Sequence, residues 1–101
     1  MIASKNLLLS DPAKEKEWRQ VLDSHAEKPV LYIICIPFDR SYAAEIMTAK
    51  EYYKQESSRR VIGIADHYSA AFTLFQSMIE DILDSDPKLD HLKMRLKEQY
   101  L

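Results

Sequence analysis

Val30-Leu31-Tyr32-Ile33-Ile34-Cys35-Ile36 is an unbroken apolar run, preceded by Lys28-Pro29 and closed by Pro37. A half-exposed strand alternates polar and apolar side chains, because successive residues point to opposite faces. This run does not alternate. A short apolar segment rich in β-branched and aromatic residues, set between prolines, reads as a strand buried on both faces. Val61-Ile62-Gly63-Ile64-Ala65 is a shorter copy of it. Strands of this kind suit a parallel sheet covered by helices, so the expected class is α/β.

The chain between the two runs reads as a helix. Asp39 or Ser41 supplies the cap, the helix runs to about Ser57, and Tyr42, Ile46, Ala49 and Tyr53 form its inner face. Strand, helix and strand within about 35 residues make a βαβ unit, whose crossover is right-handed in about 98% of cases. The two strands are therefore expected to be adjacent and parallel.

Upstream, Ser10-Asp11-Pro12 pairs a capping side chain with a proline at the first helical position. In the helix that follows, Trp18, Val21, Leu22 and His25 recur at helical spacing as one apolar stripe. Residues 1–10 form a strap or an edge strand, centred on Asn6–Leu9. Downstream, Ser69 caps a helix whose buried stripe is Phe72, Phe75, Ile79, Ile82 and Leu83, widened by Leu74 and Met78. Ser85-Asp86-Pro87 repeats the earlier start signal, so a last helix is expected over 87–101. It carries Leu89, Leu92, Leu96 and Tyr100 on one face.

The expected architecture is one domain over 1–101: a small β-α-β-α core of two or three parallel strands packed by about four helices. Over about residues 29–84 this pattern resembles half of a doubly wound domain of the Rossmann or flavodoxin-like kind. That resemblance implies a ligand site at the carboxyl ends of the strands.

The 101 residues suffice for one modest core. Apolar residues at 47% and charged residues at 30% suit a globular chain. A net charge of −2 makes no field that favours nucleic acid or an anionic membrane. Arg59-Arg60 is a lone basic pair, without the aromatic interleaving of a nucleic-acid footprint. A single glycine excludes Gly-rich phosphate loops, so no cofactor is expected by that route. A single cysteine excludes an internal disulfide, and Cys35, inside the apolar run, reads as buried and inert. His25, His67 and His91 lack ligand spacing, so no metal is expected. No apolar run approaches the roughly 18 residues of a membrane span. Leu7-Leu8-Leu9 is short for the core of a secretory signal, and an intracellular, cytoplasmic protein is expected.

The two strand exits repeat a pattern. Asp39-Arg40-Ser41-Tyr42 follows the first strand and Asp66-His67-Tyr68-Ser69 the second, each leading into Ala-Ala. On neighbouring parallel strands these residues converge beside two helix N-termini, where Arg40 and His67 add donors for a small anionic ligand. Capping and close packing account for the same residue types. Asp66 and His67 are adjacent in sequence and specify no triad, and no G-x-S-x-G elbow surrounds Ser41 or Ser69. No catalytic residue is assigned.

Two functions compete. The first is a non-enzymatic module that self-associates as a homodimer or binds a protein partner, with Leu89, Leu92, Leu96 and Tyr100 as its interface. The second is a binder or enzyme for a small anionic ligand at the strand exits.

Overall fold

The computed structural model describes residues 3–101, with side chains from Asn6 onward. Met1 and Ile2, the start of the expected strap, lie outside the described residues. Among the described residues the chain forms β1 (Ala3–Leu9), α1 (Glu15–Asp23), β2 (Tyr32–Pro37), β3 (Glu45–Thr48), α2 (Ala49–Tyr53), β4 (Arg59–Ala65), α3 (Tyr68–Leu83) and α4 (Leu92–Tyr100). One sheet holds the strands in the order β1-β4-β2-β3. β1 and β4 run parallel, whereas β4–β2 and β2–β3 are antiparallel.

The two apolar runs are neighbours, but the expected parallel βαβ crossover is overturned. The cause is β3. Residues 42–57 do not form one long helix; Glu45–Thr48 instead pairs back onto β2, with Tyr32 opposite Thr48 and Cys35 opposite Glu45. A reversal of chain direction placed before β4 makes β2 and β4 antiparallel. The parallel pair of the sheet is β1–β4, and the half-Rossmann resemblance does not extend to the strand directions. The helix here is only five residues long, and Thr48 caps it: its Oγ1 accepts from the Glu51 N–H at 3.2 Å and donates to Glu51 Oε1 at 3.0 Å.

Both faces of the sheet are buried, as the unbroken apolar run requires. On one face Leu7, Ile33, Cys35, Val61 and Ile64 pack against Trp18, Val21 and Leu22 of α1 and Tyr52 of α2. On the other, Ile34, Ile36, Ile62 and Ala65 pack against Ala71, Met78 and Ile82 of α3 and Leu96 and Tyr100 of α4. β4 carries an extra residue, because Cys35 is opposite Val61 while Ile34 is opposite Gly63. The resulting bulge turns Ile62 and Gly63 toward the same face.

Helix ends correct three further expectations. α1 stops in a Schellman turn, with the Ala26 N–H donating to Val21 O and His25 left-handed at φ 55°. His25 therefore leaves the apolar stripe, and its ring lies 2.8 Å from Glu56. At the start of α3 the capping position is His67, not Ser69, and no side chain caps it. Ser85-Asp86-Pro87 starts no helix: Leu89 is left-handed at φ 55°, Asp86 accepts the His91 N–H at 3.0 Å, and α4 begins at Leu92. By contrast Ser10-Asp11-Pro12 does open a helix, through a 3-10 turn capped by Asp11.

Candidate functional site

The antiparallel pairing separates the two strand exits. Pro37 lies opposite Arg59 and Tyr32 opposite Ala65, so the exit of β2 sits beside the entrance of β4, and the exit of β4 beside the entrance of β2. A six-residue strand puts roughly 17 Å between them. Asp39, Arg40, Ser41 and Tyr42 are thus at one end of the sheet, and Asp66, His67, Tyr68 and Ser69 at the other. The eight residues form no single cradle.

At the first end the loop after β2 is held from both faces of the sheet. Arg59, 3% exposed, sits on the α1/α2 side. Its Nη2 lies 2.7 Å from Glu45 Oε1, its Nε donates to the same oxygen at 2.9 Å, and its Nη1 donates to Asp39 Oδ1 at 3.3 Å and to Ser58 Oγ at 2.6 Å. From α4, Lys93 Nζ donates to the carbonyls of Pro37 and Arg40 at 2.5 Å each, and Lys97 stands 5.0 Å over the Phe38 ring. Arg40 turns back on Asp39 at 3.3 Å. Charges here are spent on fixing a loop. The sequence marked Arg59 only as half of a basic pair, because its partners come from another strand and a loop.

Cys35 lies beneath this group. Burial, with the Glu45 carboxylate nearby, pushes its thiol up to about 12. A thiol so placed is a core side chain and no nucleophile at neutral pH.

At the second end Ser10 Oγ donates to Asp66 at 3.4 Å, His67 Nε2 stands 3.8 Å from Asp66, and Tyr68 meets Tyr32 edge to face at 5.9 Å. Asp66, His67, Tyr68 and Ser69 are exposed, with β1's exit beside them. Among the described residues no cluster of three His, Cys, Asp or Glu side chains could hold a metal. No helix among them is long and apolar enough to cross a membrane.

The expected interface residues lie elsewhere than on a free surface. Leu96 and Tyr100 are buried against the sheet, and Leu89 and Leu92 pack partly onto the same cluster. α4 folds back on its own domain and covers its own stripe.

An uncovered apolar strip runs along α3, while Val30, Phe38, Tyr42 and Met94 are exposed elsewhere. Ala71, Met78 and Ile82 make its buried side, whereas Phe72 is 49% and Leu83 36% exposed. Phe75 and Ile79 are half-buried beside them, and these four were expected in the core. With Tyr68 they make a continuous flank along the helix, and Phe72, Phe75, Gln76, Ile79 and Glu80 line a shallow groove on it. The width of the apolar stripe was legible, but not which part of it meets the sheet. Small Ala71 does so, because a short side chain lets the helix approach closely.

No protein-family profile, curated protein or solved structure matches the chain.

Proposed function

We propose that the protein is a small, non-enzymatic, intracellular α/β module that works by binding another protein surface, a second copy or a partner, through the exposed flank of α3. The observation that carries this reading is Phe72 standing half-exposed in one apolar strip with Phe75, Ile79 and Leu83. Large apolar side chains in contiguous strips mark interaction surfaces, whereas single ones do not. The alternative, an anionic ligand at the strand exits, loses the convergence of the two exits on which it rested.

The test is a photoactivatable cross-linker placed in the living cell at Gln76, on the flank, and at Lys16, on the solvated side of α1. A discrete cross-linked species from Gln76 and none from Lys16 is the expected result, and Phe72→Asp in the same chain should abolish it. No product at Gln76, or a product indifferent to Phe72→Asp, removes the reading.

A further inference from the structure

The order of residues along the flank says more than its exposure does. The midpoint of α3 falls between Phe75 and Gln76. Phe72 and Ile79 are equidistant from that point, as are Tyr68 and Leu83, and one step further out His67 and Asp84. Two copies of α3 laid antiparallel across a two-fold axis at the midpoint set each member of a pair opposite the other. A strip with this mirror order is complementary to itself, which is what an isologous dimer contact requires.

The charges run the same way. The carboxyl end of α3 carries exposed Glu80 and Asp84, unfavourably placed against their own helix dipole. The amino end carries His67, its side chain 76% exposed, and backbone N–H groups that no capping side chain engages. Antiparallel docking brings the acidic end of each helix onto the amino end of the other. Asp66 also stands at that end, 3.8 Å from His67 Nε2, and accepts a hydrogen bond from Ser10 Oγ at 3.4 Å.

We infer that α3 pairs with α3 of a second copy in antiparallel, two-fold fashion, with Phe72 against the partner's Ile79 and His67 against the partner's Asp84. This rests on the functional reading above and names the partner as the chain itself. α3 is 16 residues long. A helix of that length spans roughly 24 Å, so the contact falls short of the roughly 800 Å² per partner of a tight complex. The dimer is accordingly weak and concentration-dependent.

Sedimentation of the full chain from the micromolar to the millimolar range should show a monomer–dimer equilibrium, weakened roughly 30-fold or more by Phe72→Asp. Asp84→Lys and His67→Asp should each weaken it, and the double variant should restore it. Both substitutions favour α3 itself, a cation at its carboxyl end and a better capping residue at its amino end, so lost association cannot be lost helix. Cysteines fix the geometry. Gln76→Cys should form a disulfide-linked dimer in the native protein. Leu83→Cys alone should not, because its two copies lie roughly 22 Å apart along the axis, but Leu83→Cys mixed with Tyr68→Cys should. A monomer at every concentration, or ready linkage of Leu83→Cys to itself, overturns the inference. In the first case a cross-link from Gln76 to a different protein leaves the functional reading standing; if that too is absent, both fall.

Discussion

Ile34 lies across Gly63 so closely that a Cβ there would meet Ile34 Cδ1 at 2.8 Å and Ile34 Cβ at 3.3 Å. The bulge in β4 puts the two on one face, and the only glycine of the chain occupies the position where the strand has no room. Gly63→Ala is expected to cost roughly 1–3 kcal/mol through overpacking. Ile34→Val alone removes one methyl and should cost about 0.5–1.5 kcal/mol. It also removes Cδ1, the closest atom, so the double variant should lose clearly less than the two losses added. Urea denaturation of the four proteins checks this, and simple additivity would refute it. Cys35 makes a second residue-scale prediction. Its thiol, ordinarily near 9.0, is raised to about 12 because the fold disfavours the thiolate. The stability this represents is complete below about pH 9 and declines as pH rises toward about 12, by about 1.4 kcal/mol per pH unit. Cys35→Val should flatten part of the alkaline fall in urea midpoint. Tyr100, also raised to about 12 by burial and by Asp81, and Tyr52 and Tyr53, both raised chiefly by burial, keep the remainder. At neutral pH a thiol reagent should label the native protein only as fast as it unfolds; prompt labelling would place Cys35 in contact with solvent.

Between elements, the joint that ties β3 and its loop to β4 is Arg59 with its two acids. Glu45 and Asp39 differ in how far they share the burial of the guanidinium, since their side chains are 20% and 42% exposed. Removing the deeper partner strands a buried cation, whereas removing the shallower one leaves the pair beneath intact. Glu45→Ala is therefore expected to cost roughly 3 kcal/mol, and Asp39→Ala less than about 1 kcal/mol. Equal losses in thermal or urea unfolding would show that the two acids act as one network. This joint also marks where the sequence stops being readable. The apolar runs announce β2 and β4, and helical spacing announces α1 and α3, because burial on one or both faces writes a period into the side chains. β3 writes none. Ala44-Glu45-Ile46-Met47 is made largely of good helix formers. It becomes a strand because β2 offers it an unpaired edge, a long-range fact absent from local composition. Thr48-Ala49-Lys50-Glu51 held the local clue: it has the sequence spacing of a capping box, and Thr48 as cap sets the start of a helix at Ala49 rather than at Tyr42. For the candidate sites the consequence is large, since one unseen strand moved Asp39–Tyr42 and Asp66–Ser69 to opposite ends of the sheet.

Across the whole molecule, one of the two interior strands of the sheet comes last among the described strands in sequence. β4 stands between β1 and β2, and among the described residues β1 pairs with no other strand. Residues 1–58 thus contain β1, both halves of the β2–β3 hairpin, α1 and α2, yet lack what joins them. A fragment ending at Ser58 should show no protected amides over Tyr32–Pro37 by hydrogen exchange, because an isolated two-stranded hairpin is marginal at best. Protection there equal to that of the full chain would contradict this. The same arrangement governs how the protein is made. At about 5–20 residues per second, a ribosome takes seconds to reach β4 after releasing the leucines of β1. Until then Leu7-Leu8-Leu9 and Ile33-Ile34 emerge into the cell as unsheathed apolar chain. A nascent polypeptide of this design keeps those runs unpaired until β4 has cleared the ribosome, and a pause that delays the emergence of β4 should tell on its yield more than one that delays α4 alone.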